Sequence, residues 1–129
     1  MVTYHWMNRS DKGLSISTMK RMFDKKEKFG YDSILLTSKG VNSDNWIKSA
    51  HIIDQTKKIK YMIAVRPYQQ TAQIVNQMAA AFAEISPNRL MLNIVSGDLH
   101  KEETSVEDLI WTGKDLDTPE KRLKYTDDW

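Results

Sequence analysis

The chain has 129 residues, 40% of them hydrophobic, and 19 Lys and Arg residues nearly balance 17 Asp and Glu residues to give a net charge of +2. This length and hydrophobic content predict one domain with a single core. The near-balance of charge argues against a nucleic-acid binder, and the absence of cysteine excludes a disulfide scaffold, a thiolate metal site and a cysteine nucleophile.

The N-terminal residues predict a first strand and a first helix. Residues 1–13 lack the basic and apolar pattern of a secretion signal, and no apolar run approaches the ~18 residues that span a bilayer, so we expect a cytoplasmic protein that binds no membrane. The short aromatic run 3–7 predicts a strand. Ser15 or Ser17 can then cap a helix that ends at Gly30 in a left-handed conformation. The apolar side of this helix carries Met19, Met22, Phe23 and Phe29.

A second strand and helix follow in residues 32–53. The run 32–37 predicts the strand, and the polar loop 38–42 ends it. Ser43 or Asp44 is placed to cap the next helix. Its apolar residues are Trp46, Ile47, Ala50 and Ile53.

The central stretch 59–97 has the pattern of strand, helix and strand. The apolar runs 59–65 and 90–95 both predict fully buried parallel strands, which stop at Arg66-Pro67 and at Ser96-Gly97. Between them, apolar residues recur at helical spacing and predict the crossover helix that a parallel pair requires. These residues are Ile74, Val75, Met78, Phe82 and Ile85, together with the run 79–81.

The spacing of these elements predicts an α/β fold. Strands that start near residues 3, 32, 59 and 90 give βα units of about 30 residues each. Four such units form either half of a (β/α)₈ barrel or a small open doubly wound sheet. Since no glycine-rich phosphate-binding motif follows a strand, we predict four consecutive βα units forming the N-terminal half of a (β/α)₈ TIM barrel, a single partial domain over 1–129. A long excursion, 98–117, follows strand four, and a helix starts at 117–120.

Motifs at the strand ends resemble those of a known family. The most specific are Val65-Arg66-Pro67, Ser86-Pro87-Asn88-Arg89 and Asn93-Ile94-Val95-Ser96-Gly97, with support from Tyr4-His5-Trp6, Phe29-Gly30-Tyr31-Asp32 and Asp44-Asn45-Trp46. Their order and gaps resemble the bacterial luciferase-like, flavin-dependent monooxygenases, and within them the alkanesulfonate monooxygenase branch. Asn88 stands where that branch has glycine, and it suits a left-handed position better than most residues do.

The resemblance implies a cofactor, a reaction and partners. It implies reduced flavin mononucleotide (FMN) at the carboxyl ends of the barrel strands and the oxygen-dependent cleavage of a small organic substrate, for example at a carbon–sulfur bond. A flavin reductase would supply the reduced FMN. Because a barrel needs on the order of 250 residues, a half-barrel implies a homo-oligomer or a second half-barrel chain.

Polar residues at the strand ends are the candidate cofactor-binding residues. His5 could face the flavin or be a structural histidine, and Arg66 could meet an anion or pair with a carboxylate of the barrel rim. The residues after strand two could meet the flavin or cap their own loop, and a small residue with glycine after strand four lets a planar ring approach the backbone. The candidates are His5, Thr37, Ser38, Asn42, Arg66, Asn93, Ser96 and Gly97.

Two features keep a non-catalytic alternative open. The resemblance covers only strands one to four of the family barrel, and Asn42 or Ser43 stands where the sulfonate branch has a cysteine. The alternative is a catalytically inactive relative that acts as a binding or interaction module. No metal site is predicted, because His100 with Glu102 and Glu103 lacks a defined ligand spacing.

Overall fold

A computed structural model describes residues 4–6, 15–37, 43–67, 69–96 and 118–129. The chain is a mixed α/β protein in which helices alternate with strands. In chain order the elements are β1 (Tyr4–Trp6), α1 (Ile16–Lys28), β2 (Ser33–Leu36), α2 (Asn45–Ile52), a 3₁₀ helix (Ile53–Gln55), β3 (Lys60–Val65), α3 (Ala72–Ile85), β4 (Leu90–Ile94) and α4 (Pro119–Asp128). The predicted excursion 98–117 lies outside the described residues.

The strands form one sheet with the order β1-β2-β3-β4. β1 pairs with β2 in parallel, and β2 pairs with β3 in parallel, so that His5 lies opposite Ile34 and Ser33 lies opposite Lys60. Helices α1 and α2 supply the crossovers that parallel neighbours require. Each strand begins within one residue of its predicted start.

Local capping defines the ends of α1. The Ser15 hydroxyl accepts a hydrogen bond from the Thr18 N–H at 3.2 Å. At the other end Gly30 has a φ of 78°, and its N–H donates to the Glu27 carbonyl at 2.9 Å. Both predicted helix ends are therefore confirmed.

The buried faces of α1 and α2 follow the predicted pattern only in part. Met19 and Phe23 of α1 are fully buried, whereas Phe29, expected on the same side, is 68% exposed. In α2, Asp44 accepts the capping hydrogen bond from the Ile47 N–H, and Trp46 is buried. Ile47 itself is 74% exposed, because it does not share the buried face of the helix.

The prediction that both central strands are fully buried is wrong for β4 and holds only in part for β3, where Lys60 is exposed and Met62 is half-buried. In β3, Tyr61, Ile63 and Val65 are buried, but in β4 the side chains of Leu92 and Ile94 are 40% and 41% exposed. The physical reason is cover: the side chains of a parallel strand are buried only where other elements lie over both faces of the sheet, and the side of β4 that carries Leu92 and Ile94 is left open. β3 has a strand on each side, whereas β4 is last in the strand order.

Contacts along the chain divide it into two compact units. The first comprises Met1–Ala64 and Met78–Asn93. Its core contains a group of aromatic residues, with Phe23 stacked on Tyr61 at a centroid distance of 4.1 Å and Phe82 packed edge-on against Trp46 at 6.4 Å.

The second unit comprises Val65–Gln77 and Ile94–Trp129. In it the Val95 N–H donates to the Val65 carbonyl at 2.9 Å. Helix α4 begins with Thr118 as its N-cap and with proline as its first residue, as predicted. Among the helices that the structure describes, none has the length and apolar character needed to cross a bilayer.

Candidate functional site

Arg66 and Ser96 follow two strand ends that are joined by a hydrogen bond. The bond from the Val95 N–H to the Val65 carbonyl, 2.9 Å long, brings the residues before Arg66 and Ser96 together. Both side chains are half-buried. A guanidinium and a hydroxyl at neighbouring strand ends form a donor set suited to an anionic group.

The chain that leaves β3 is held in a turn. The Gln69 N–H donates to the Arg66 carbonyl at 3.0 Å, and Pro67 is fully buried. Thr71 then starts α3, where its hydroxyl accepts from the Ile74 N–H at 3.3 Å. The short loop that begins at Arg66 is therefore restrained by a hydrogen bond near each of its ends.

His5 and Thr37 belong to the other compact unit. His5 lies in β1, and Thr37 directly follows β2 and is half-buried. The Asn45 side-chain amide donates to the Thr37 carbonyl at 2.9 Å. Asn45 was not predicted as a site residue, although its place directly after the capping residue Asp44 indicated a loop contact.

The remaining predicted residues are described in part. Asn93 lies in β4, half-buried, in the same unit as His5 and Thr37. Ser38, Asn42 and Gly97 lie outside the described residues. The structure therefore places Arg66 and Ser96 directly after two strand ends that are joined by a hydrogen bond, and the roles of all eight residues stay predictions.

Sequence reasoning missed a buried polar cluster around Arg89, before the start of β4. The Arg89 guanidinium donates to the Ile59 carbonyl at 2.7 Å, to the Thr56 carbonyl at 3.1 Å and to the Thr56 hydroxyl at 2.6 Å. The Thr56 hydroxyl also lies 2.9 Å from the Tyr61 hydroxyl. Burial raises the pKa of Tyr61, so this phenol stays protonated at neutral pH.

The second missed feature is the carboxylate of Glu27, near the end of α1. It accepts hydrogen bonds from the backbone N–H groups of Lys57, Lys58 and Ile59, at 2.9 Å from Lys57 and 2.8 Å from Ile59. Burial raises the pKa of Glu27, but these amides and the charge of Arg89 outweigh it, and the net pKa lies below its ordinary value. The sequence signal was weak, because Glu27 is one of two acids, with Asp24, among the lysines of α1.

These two missed features have a structural role. They lie where the chain enters β3 and β4, whereas ligands of parallel α/β proteins bind at the carboxyl ends of the strands. They satisfy backbone groups of residues 56–59, directly before β3 begins. Among the described residues, no group of three or more His, Asp or Glu side chains is placed to hold a metal ion. The trio around His100 lies outside those residues.

A parallel sheet with helical crossovers and polar residues after its strands is the architecture of an α/β enzyme. The family model of the luciferase-like monooxygenases matches residues 2–129 of the chain. The chain therefore belongs to the luciferase-like monooxygenase family, whose members generally depend on reduced flavin. The predicted family is confirmed, and the alkanesulfonate branch stays a prediction.

Proposed function

We propose that this protein is a flavin-dependent monooxygenase that uses reduced FMN and O₂ to oxidise a small organic substrate such as an alkanesulfonate. Support comes from the family match over residues 2–129. The observation that carries the proposal is the pairing of the two strand ends that precede Arg66 and Ser96, through the Val95–Val65 hydrogen bond.

The residues at these strand ends fit an anionic cofactor or substrate. Arg66 offers a guanidinium that can bind a phosphate or sulfonate in bidentate fashion. Ser96 adds a hydroxyl donor and, because it is small, leaves room for a flat ring near the backbone. Reduced flavin, when bound, supplies the activation of oxygen. The protein's part is to orient the bound groups and to keep water from the reacting atoms.

The remaining candidates are assigned to the same function at the other strand ends. In this proposal His5, Thr37 and Asn93 are assigned to cofactor binding by their positions on or directly after β1, β2 and β4. Asn45 supports the position of Thr37, because it holds the Thr37 carbonyl at 2.9 Å. Ser38, Asn42 and Gly97 complete the proposed set by their positions in the sequence.

We propose further that the four strands form the first half of a (β/α)₈ barrel within a single domain. A full barrel has eight strands, and the exposed side chains of Leu92 and Ile94 on β4 offer apolar surface for a neighbouring strand. In this proposal a second copy of the chain, or a second half-barrel chain, supplies the other strands. A flavin reductase would supply reduced FMN.

FMN titration of the purified chain tests the binding step. We expect quenching of flavin fluorescence, and we expect Arg66→Met to weaken FMN binding roughly 10- to 100-fold, since a hydrogen-bonded charge contributes about 1.5–3 kcal/mol. Arg21→Met is the matched control. It removes an exposed guanidinium from α1 and leaves the strand ends intact. Equal affinity in the Arg66 and Arg21 variants would remove Arg66 from the site.

Turnover separates the enzyme from the inactive binding module. Reductase-coupled oxygen consumption is measured with and without short alkanesulfonates. Substrate-dependent consumption supports the monooxygenase, whereas retained FMN without turnover supports the binding module. A chain that takes up no FMN, alone or as an oligomer, contradicts the flavin proposal itself.

A further inference from the structure

The C-terminal segment contacts the loop that carries Arg66. The indole N–H of Trp129 donates to the carbonyl of Gln70 at 2.8 Å, across 59 residues of sequence. Trp129 and Gln70 are both half-buried and belong to the same compact unit. Trp129 follows α4 directly, so this hydrogen bond ties the end of α4 to the loop between β3 and α3.

The loop has local restraints at its two ends. The Gln69 N–H closes a turn on the Arg66 carbonyl at 3.0 Å, and Thr71 caps α3 through the Ile74 N–H. Gln70 lies between these restraints. The Trp129 indole supplies a hydrogen-bond donor for its carbonyl.

We propose that Trp129 is a positioning residue that fixes the loop after β3 and thereby the placement of Arg66 at its strand end. The indole acts on the backbone of Gln70 and reaches Arg66 through the Arg66–Gln69 turn. The restraint of the loop by Trp129 does not depend on the proposed function. Only its consequence for ligand binding rests on that function, in which Arg66 binds an anionic group.

Hydrogen exchange of backbone amides in the Trp129→Phe variant of the 129-residue chain tests the inference. Phenylalanine keeps an aromatic ring and loses the N–H donor. We expect exchange of the Gln69 amide to become about 10-fold faster, because the turn that protects it opens more often. The Arg122 amide, which donates to the Thr118 carbonyl inside α4 at 3.2 Å, should exchange at an unchanged rate.

The matched control is Leu123→Ala, which shortens a 56% exposed side chain on the same helix. It should leave the exchange of the Gln69 amide unchanged. Unchanged exchange of Gln69 in Trp129→Phe overturns the inference. Equal acceleration at Gln69 and Arg122 also overturns it, because that result describes a general loosening of α4.

FMN affinity of the same variants separates this inference from the proposed function. If the unmodified chain binds FMN, we expect Trp129→Phe to weaken binding by about 3- to 10-fold and Leu123→Ala to leave it unchanged. Faster Gln69 exchange with unchanged FMN affinity contradicts the placement of Arg66 by Trp129. If the unmodified chain binds no FMN, the proposed function fails, and amide exchange alone decides whether Trp129 holds the loop.

Discussion

Glu27 connects α1 to the start of β3 through backbone hydrogen bonds. Its carboxylate accepts from three successive amides, those of Lys57, Lys58 and Ile59. Arg89 donates to the Ile59 carbonyl from the other side. A carboxylate and a guanidinium together therefore satisfy the polar groups of the segment that leads into β3, and this segment is held without regular secondary structure.

Replacing Glu27 tests the strength of this connection. We expect Glu27→Gln to lower the free energy of unfolding by about 1–3 kcal/mol, because a neutral amide offers one acceptor oxygen in place of the two charged oxygens of the carboxylate. Urea unfolding measures the change. Asp24→Asn is the matched control on the same helix, since Asp24 forms only an exposed ion pair with Lys28 and should change stability by less than about 0.5 kcal/mol. Similar losses in the two variants would contradict this role of Glu27.

The pH dependence of stability provides a second test of Glu27. Its pKa in the folded protein lies below the ordinary value of 4.5, so its contribution is fully present above that value and is lost as the pH falls through the lowered pKa. We expect the stability difference between the unmodified chain and Glu27→Gln to be constant near neutral pH and to shrink below about pH 4.5. Urea unfolding at several pH values measures it. If the stability difference between the two proteins grows as the pH falls, the lowered pKa of Glu27 is contradicted.

At the scale of elements, left-handed residues end α1 and precede β4. Gly30 has a φ of 78° and Asn88 has a φ of 62°. The sequence identified both positions, because glycine and asparagine enter this region most readily. A Cβ added at Gly30 would meet no atom within 4 Å, so a substitution there reports backbone strain alone.

The two left-handed positions should respond differently to substitution. We expect Gly30→Ala to destabilise the protein by about 1 kcal/mol, because alanine resists a positive φ. Asn88→Gly should change stability by less than about 0.5 kcal/mol, since relief of strain offsets the greater freedom of glycine in the unfolded chain. Thermal and urea unfolding of the two variants measure these effects. A neutral Gly30→Ala would show that the helix end adapts to the side chain.

At the scale of the whole molecule, the strands of the sheet differ in how deeply their side chains are buried. β3 lies between two strands and carries buried side chains such as Ile63 and Val65, whereas β4 ends the strand order and leaves Leu92 and Ile94 exposed. In the proposed half-barrel, this edge is where further strands would pair. In this proposal the activity therefore depends on the oligomeric state, because the second chain completes the barrel.

Substitution on β4 tests the proposed pairing. We expect the unmodified chain to elute as a dimer or larger assembly, and Leu92→Lys to shift it towards the monomer, because a charge on an edge strand opposes pairing. Size-exclusion chromatography with light scattering measures the mass. Ile47→Lys is the control, since Ile47 is an exposed residue of α2 and should leave the mass unchanged. A folded monomer that binds FMN would contradict the need for a second chain.

The sequence by itself determined the order of the elements, their ends and the family. Ser15 and Asp44, each one of the two caps that the sequence offered, cap α1 and α2, because a cap depends on atoms within three residues of it. The motifs around Arg66 and Asn93 identified the luciferase-like monooxygenase family, because they are short, contiguous stretches that can be read directly from the sequence.

Only the tertiary structure decided which distant residues meet. Glu27 reaches amides about 30 residues away, and Trp129 reaches Gln70 across 59 residues. No periodicity or local motif encodes such a pair, because the partner is a backbone group that every residue possesses. The exposure of Leu92 was likewise decided by the tertiary structure: an apolar run predicts a buried strand, but burial also requires other elements over both faces of the sheet.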